Sequence, residues 1–261
     1  MNDLLHVYAQ AAVAILVCLV LLWAISVAIR DASIIDIFWG PGFVVCNWVT
    51  LILYQGDIAG RQWLVHGLVT LWGLRLALHL FVRNVGHGED TRYQRWRAHG
   101  GRHWWLKTFY RIYLFQGCIM MLVAAPVIVV NTSSSQSSLG WLDLVGGIVW
   151  LVGFGFEVIS DQQLTIFRRD PANQGRVLDS GLWRYSLHPN YFGDALQWWG
   201  LWLILLGAPF GVYTVIGPLL MTATFLFISN GVLERALSRS RPDYVAHVKR
   251  TSSFIPMPPR P

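Results

Sequence analysis

Apolar residues run through most of the chain in long stretches that short polar segments interrupt. A membrane-crossing helix requires about 20 mostly apolar residues, and seven stretches approach or exceed that length. The predicted spans are residues 4–29, 34–54, 63–83, 109–130, 140–160, 191–207 and 210–232. This pattern predicts an all-α integral membrane protein with seven transmembrane helices, built as one multi-span domain over residues 1–261.

Composition agrees with this prediction, since 54% of the 261 residues are hydrophobic and 13% are charged. Soluble domains carry about 25% charged residues. The three cysteines lie in apolar runs without C-x-x-C spacing, which argues against a disulfide framework or a zinc site. Asn2 and Asp3 precede a long apolar run, so the first segment is expected to be a retained span and not a cleaved signal peptide.

Basic residues fall almost entirely on one side of the predicted spans. Of the 20 Lys and Arg residues, Arg61 lies on the opposite side, Arg75 lies within a span, and all the others share one side. Basic loops concentrate on the cytoplasmic face, so the N-terminus is predicted outside and the C-terminus in the cytoplasm. The uncharged segment NTSSSQSSLG is then an external loop. The net charge of +6 is mostly an orientation signal and not a nucleic-acid signature.

Polar residues recur at helical spacing within or at the ends of four of the predicted spans, where lipid makes ionisable groups costly. They are Asp36 and Asn47; Arg75, His79 and Arg83; Glu157, Asp161 and Arg168; and Asn190, Asp194 and Gln197. Residues three or four apart share a helix face, so these stripes are expected to converge inside the bundle. The alternatives are structural pairing among buried polar groups and, for Asp36, an interfacial position.

The segment RVLDSGLWRYSLHPNYFGDALQWW, from Arg176 to Trp199, is the most informative. Proline disfavours helix in the residue before it, so a turn over 181–189 and a helix beginning near Asn190 are predicted. A helix start and nearby arginines suit a phosphate group, although an interfacial belt of aromatic and basic residues is the alternative. Gly153 and Gly155 lack the context of a Rossmann motif and are attributed to helix packing. The sequence contains no P-loop, zinc-protease or G-x-S-x-G motif.

These motifs together resemble the steroid 5α-reductase family. The resemblance rests on Glu157, Asp161, Arg168, GLWRYSLHPNYFGD, Glu234, Tyr244 and RTSSFIP, and more weakly on DASIIDIFWGPGF and GEDTRY. It implies an NADPH-dependent oxidoreductase of lipid metabolism, in a bacterial inner membrane with its cofactor site facing the cytoplasm. The implied reaction reduces the C4–C5 double bond of 3-oxo-Δ4 steroids or of a similar lipophilic enone.

Two other function classes stay open. The H-P-N-Y core also occurs in membrane sterol reductases, and an H-P-x-Y relative occurs in isoprenylcysteine carboxyl methyltransferases. A membrane methyltransferase that uses S-adenosylmethionine is therefore the main alternative. A receptor or transporter without enzymatic activity is the third, and it leaves the cluster of arginine and aromatic residues unexplained.

The resemblance implies that residues 150–261 form the cofactor-binding half of the chain. The implied cofactor-binding residues are Glu157, Asp161, Arg168, Arg176, Tyr185, His188, Asn190, Asp194 and Glu234. Leu187 stands where many family members carry Arg, which removes one possible phosphate contact.

The implied reaction places negative charge on the carbonyl oxygen of the substrate. A protonated carboxyl group or a phenol can donate a hydrogen bond to that oxygen without a metal. The candidate catalytic residues are Asp36, with Trp39 one turn further along, and Tyr93 if its loop folds inward. The expected partners are a lipophilic enone or steroid and membrane lipid; neither nucleic acid, a metal nor an oligomer is required.

Overall fold

The computed structural model describes residues 2–54, 58–86, 88–132, 139–208, 210–227 and 242–260. Helices account for most of this part of the chain, and its one β-type contact is an isolated bridge between Ser186 and Ser252. The predicted all-α class is therefore confirmed.

The longer described helices follow the predicted apolar stretches, whereas the short helices over residues 91–98, 104–108 and 242–250 lie outside them. The α-helices are α1 (Asn2–Ile29), α2 (Ile34–Leu53), α3 (Gly60–Asn84), α4 (Thr91–Ala98), α5 (Trp104–Thr108), α6 (Phe115–Val123), α7 (Ala125–Thr132), α8 (Trp141–Arg169), α9 (Pro189–Leu205), α10 (Ile216–Phe227) and α11 (Pro242–Arg250). A π-helix, Phe109–Leu114, joins α5 to α6. Short 3-10 helices lie at Gly101–His103, Pro171–Asn173, Gly181–Arg184 and Gly211–Val215.

Four described helices, α1, α2, α3 and α8, are long and apolar enough to cross a membrane. The segments Gly101–Val123 and Ala125–Thr132 make a fifth candidate if this bent pair is one span. The protein is therefore an integral membrane protein by the length and composition of its helices. The predicted spans 191–207 and 210–232 correspond to α9, with 17 residues, and α10, with 12. Residues 228–232 lie outside the described part, so seven spans remain a prediction.

The predicted span 109–130 is not one straight helix. It begins as a π-helix and bends by 48° where α6 meets α7. Pro126 is the second residue of α7. Proline lacks an amide hydrogen and its ring crowds the preceding turn, which accounts for the break at this position.

The chain divides into two compact units. Unit 1 comprises Met1–Leu139 and Ala208–Thr214, and unit 2 comprises Gly140–Gly207 and Val215–Pro261. In unit 1, α2 packs mainly against α3 and α1, and α7 packs on both α1 and α2. Buried apolar side chains fill the spaces between these helices, Phe43, Trp72 and Tyr113 among the largest.

Unit 2 is organised around the contact between α8 and α9. A side chain at Gly153 would place its Cβ 2.6 Å from the carbonyl oxygen of Gly193, and one at Gly146 would come equally close to that of Gly200. These glycines let the two backbones touch, as small residues do in membrane helix pairs. The packing interpretation is confirmed for Gly153, whereas a Cβ at Gly155 would meet nothing within 4 Å.

Candidate functional site

Asp36 and Tyr93, the two predicted carbonyl-polarising residues, are hydrogen-bonded to each other in unit 1. The Tyr93 hydroxyl donates to Asp36 Oδ1 at 2.7 Å, and Gln116 Nε2 lies 3.4 Å from the same hydroxyl. Tyr93 is buried, with 6% of its surface exposed. The loop that carries Tyr93 thus folds inward, which was the condition for its predicted role.

Glu89 attaches this loop to the beginning of α2. Its Oε1 accepts a hydrogen bond from the backbone amide of Ala32 at 2.9 Å, and its Oε2 pairs with Arg97 Nη2 at 2.6 Å. Glu89 is buried, and a buried carboxylate is tolerated when it is paired and hydrogen-bonded. The motif GEDTRY therefore docks on DASIID through a satisfied buried carboxylate.

Asp90 and Arg92 complete this arrangement. The Asp90 side chain caps α4 by accepting from the Arg92 amide at 2.8 Å, and the Arg92 guanidinium makes two further 3.0 Å bonds to its carboxylate. Partial burial acts to raise the pKa of Asp90, but the hydrogen bonds from Arg92 hold it below its usual range. Arg92 Nη2 also lies 3.4 Å from Asp36 Oδ2, so a cation faces the Asp36 carboxylate.

The environment of Tyr93 keeps its phenol protonated at neutral pH. Burial, reinforced by the charge of neighbouring Asp36, raises the pKa of Tyr93 well above its usual range. A protonated phenol is a hydrogen-bond donor, whereas Asp36 accepts from Tyr93 and faces Arg92. The single hydrogen of the phenol is directed at Asp36 Oδ1, and this bond fixes the position of the phenol oxygen.

Three other predicted residues of unit 1, Trp39, Arg75 and His79, lie on α2 and α3. The ring of Trp39 meets Phe43 edge-on at 5.6 Å, and Phe43 meets Trp72 at 5.4 Å. Arg75 and His79 are half-buried on α3, and each has a partner. The aromatic row gives unit 1 an apolar interior beyond Asp36.

The predicted turn and helix start in unit 2 are confirmed. Gly181–Arg184 forms a 3-10 turn, and α9 begins at Pro189 after a non-helical His188. Gln163 Oε1 on α8 accepts from the Leu182 amide at 3.0 Å, which ties the turn to α8. The C-terminal tail packs against the residues that follow the turn. The Leu187 amide donates to the Ser252 carbonyl, and the Ser186 hydroxyl donates to the Phe254 carbonyl.

Four of the predicted cofactor-binding residues form a polar cluster between α8 and α9, in which Asn190 is half-buried and the other three are buried. Asn190 Nδ2 donates to Asp161 Oδ1 at 3.0 Å, and Gln197 Nε2 donates to Glu157 Oε2 at 2.7 Å. Asp194 lies on the same stretch of α9 and is 5% exposed. Gln197 is the member of this cluster that the prediction of site residues missed, although it belongs to the same polar stripe.

His188 is buried at the start of α9, where its ring stacks on Tyr191 at 5.4 Å. Burial lowers the pKa of His188 to about 4, so its ring is neutral at neutral pH. Within the described part of the chain, His188 Nε2 and Asn190 Oδ1 are buried atoms without a hydrogen-bond partner. Buried polar atoms are normally satisfied, so these two atoms, like Gln197 Oε1 in the same cluster, are available to hydrogen-bond a bound group.

The remaining predicted cofactor-binding residues lie at the surface or outside the described part. Arg168, Arg176 and Tyr185 are exposed, at the end of α8 and in the segment before α9. Glu234 and its predicted role lie outside the described residues. The described residues contain no group of three or more His, Cys, Asp or Glu side chains that could hold a metal ion.

Sequence reasoning missed the residues that hold Asp36 and Tyr93 in place, chiefly Glu89, Arg92 and Gln116. The spacing of Glu89, Asp90 and Arg92 around Tyr93 carried a usable signal, since an acidic residue before a short helix is a common cap. The signal at Gln116 was weaker, because it was only a single amide side chain within an apolar stretch.

Comparison with known proteins places the chain in a family. A family described as "Protein of unknown function (DUF1295)" matches residues 22–251. The chain belongs to this family. The DUF1295 match includes both α2 with the loop of Tyr93 and the α8–α9 pair, so both polar clusters lie within the family region.

An uncharacterized protein of Schizosaccharomyces pombe is 25% identical to this chain over 208 residues. The similarity covers 70% of this chain and 60% of the yeast protein, so the chain spans less than two thirds of that relative's length. No solved structure matches the chain.

Proposed function

We propose that the protein is an NADPH-dependent reductase that acts on the carbon–carbon double bond of a lipophilic enone, such as a 3-oxo-Δ4 steroid. The observation that carries this proposal is the buried Tyr93 phenol, held by a 2.7 Å bond to Asp36. The resemblance of GLWRYSLHPNYFGD and RTSSFIP to steroid 5α-reductases supplies the reaction class.

Tyr93 is proposed to stabilise the charge that develops on the substrate's carbonyl oxygen. NADPH, when bound, supplies a hydride to the β-carbon of the enone. The phenol has a single hydrogen, which Asp36 Oδ1 accepts in the structure, and on substrate binding this hydrogen turns to the enolate oxygen. Donors aimed at a developing oxyanion are usually the largest single contribution to catalysis. Asp36 and Arg92 orient the phenol, and a proton taken up at the α-carbon completes the reduction.

The buried cluster of unit 2 fits the nicotinamide and ribose half of this cofactor. Asn190 Oδ1 and His188 Nε2 offer acceptors for its amide and hydroxyl donors. Asp161 orients Asn190 through their 3.0 Å hydrogen bond. The exposed arginines Arg168 and Arg176 suit its phosphates, because a guanidinium binds phosphate with two parallel hydrogen bonds.

The test is ligand binding by the purified protein in detergent. NADPH is expected to raise the thermal unfolding midpoint, and S-adenosylmethionine is expected to leave it unchanged. Asp161→Ala and Asn190→Ala should weaken NADPH binding about tenfold to a hundredfold, the value of one charge-assisted hydrogen bond. Gln162→Ala is the matched control, because Gln162 is the exposed neighbour of Asp161 on α8. Stabilisation by S-adenosylmethionine alone would instead favour a methyltransferase.

We also propose seven spans in a bacterial inner membrane, with the N-terminus outside and the cofactor site facing the cytoplasm. The charge asymmetry of the sequence supports this topology. In a variant without native cysteines, Leu139→Cys is expected to react with an impermeant reagent from outside, and Arg95→Cys and Gln174→Cys only from the cytoplasm. All three residues are exposed. Labelling of Leu139→Cys from the cytoplasm alone contradicts the topology.

A further inference from the structure

A pocket in unit 1, apart from Asp36 and Tyr93, lies where α4 gives way to the apolar segment that begins at Gly101. Its volume is about 340 Å³, and Trp96, His99, Trp104, Lys107 and Arg111 are among its lining residues. We propose that this pocket binds the phosphate group of an anionic membrane lipid.

The charge of the pocket suits an anion. Lys107 and Arg111 are four residues apart and both contribute to the lining, and no carboxylate is among the lining residues that the structure describes. The neighbouring Arg97 is already engaged by Glu89 at 2.6 Å, with its guanidinium 5.9 Å from the Trp104 ring. The positive charge of Lys107 and Arg111 is therefore not balanced by the pocket itself, and an arginine beside a lysine is a common phosphate-binding pair.

The position of the pocket favours a lipid as the source of the phosphate. Taken together as one span, the segments Gly101–Val123 and Ala125–Thr132 are apolar enough to cross a membrane, and the start of such a span lies at the depth of lipid headgroups. Trp96 and Trp105 are 58% and 39% exposed. Exposed tryptophans with nearby basic residues mark the membrane–water interface, and basic pockets at this level bind lipid headgroups.

The backbone of the pocket wall is also unusual. Arg111 and the lining residue Ile112 belong to the π-helix Phe109–Leu114. Single-turn π-helices occur frequently at functional sites. None of the residues proposed to take part in the reductase chemistry lines the pocket, although the ring of the lining residue Trp96 meets Tyr93 edge-on at 5.8 Å.

The experiment compares phosphatidylglycerol, phosphatidylcholine and glycerol 3-phosphate as ligands of the full-length protein in detergent micelles. Phosphatidylglycerol is expected to raise the unfolding midpoint of the wild-type protein more than phosphatidylcholine does. The double variant Lys107→Gln/Arg111→Gln should bind phosphatidylglycerol about tenfold to a hundredfold more weakly. Arg102→Gln is the matched control, because Arg102 is exposed on the same segment but does not line the pocket.

Lys107→Gln alone provides a second variant if the double variant does not fold, since Lys107 is exposed. Equal lipid affinity in wild type and variants overturns the proposal. So does stabilisation by glycerol 3-phosphate without phosphatidylglycerol, which would assign the pocket to soluble phosphates. A loss of NADPH affinity in the variants would assign it to the cofactor, and this also overturns the proposal while leaving the reductase function standing.

Discussion

Replacing Tyr93 by Phe is the sharpest test of the proposed chemistry, because it removes one oxygen atom from a buried, fixed position. The change deletes the 2.7 Å hydrogen bond to Asp36 and the 3.4 Å contact with Gln116. The ring itself stays, so packing around it is preserved. Leaving Asp36 Oδ1 without this donor costs about 1–3 kcal/mol of folding free energy, while Arg92 stays 3.4 Å from the other oxygen, Oδ2.

The effect on turnover should be larger than the effect on stability. Loss of one donor to a developing oxyanion lowers turnover by about a hundredfold to a thousandfold. The assay follows oxidation of NADPH with testosterone or progesterone as the enone, at saturating cofactor and with the reduced product identified. NADPH affinity should be nearly unchanged, because Tyr93 is proposed to contact the substrate and not the cofactor.

Variants of Asp36 separate positioning from donation. Asp36→Asn keeps an acceptor for the Tyr93 hydroxyl and should lose less turnover than Asp36→Leu, which removes the acceptor. Combining Asp36→Leu with Tyr93→Phe should add little to the loss from Tyr93→Phe alone, because residues that act as a unit are not additive.

The matched control for Tyr93→Phe is Tyr110→Phe, which removes the same hydroxyl from a side chain that is 55% exposed. Wild-type turnover in Tyr93→Phe, or an equal loss in Tyr110→Phe, would refute the assignment of Tyr93 as the donor. A donor would then have to be sought elsewhere in unit 1.

Two further predictions concern unit 2. Gly193→Ala should destabilise the protein by about 1–3 kcal/mol, because its Cβ would lie 2.5 Å from the Gly153 carbonyl oxygen. The control is Gly147→Ala, whose Cβ would meet nothing within 4 Å and which should be neutral or slightly stabilising. Chemical denaturation of the two variants measures the difference in unfolding free energy. The pKa of His188 is about 4 in the folded protein and 6.5 in an unfolded chain, so up to about 3 kcal/mol of stability should be lost as pH falls from 6.5 to 4. His188→Phe should flatten that part of the profile of unfolding midpoint against pH, and an unchanged profile contradicts the assignment to His188.

The hydrophobic pattern located the helices well but not their ends. The predicted fifth span stopped at residue 160, where apolarity stops, while α8 continues to Arg169. A helix is not limited to the apolar part of its sequence, because its backbone hydrogen bonds are satisfied internally in water as in lipid. Asp161 and Arg168 therefore lie on the helix itself. Pro126 would have predicted the bend before α7, but the hydrophobic pattern alone does not predict it.

The sequence predicted only some of the side-chain pairs that join distant segments of the chain. Helical spacing predicted that Asp161 and Asn190 lie on inward faces, and the structure joins them at 3.0 Å. The bond between Asp36 and Tyr93 depended on the folding of the loop before α4. That fold is set by Glu89 and its contact with the backbone of Ala32, a long-range interaction that no local pattern encodes.

The glycines of unit 2 explain why its polar cluster forms where it does. Helices α8 and α9 run antiparallel, so contacts that begin with Gly146 and Gly200 continue through Gly153 and Gly193. Because the glycines bring the backbones together, the side chains beyond them are drawn into the same narrow interface. There Gln197 donates to Glu157 at 2.7 Å. The cluster therefore depends on glycines that have no functional side chain. Gly193→Ala should weaken NADPH binding as well as lower the free energy of unfolding.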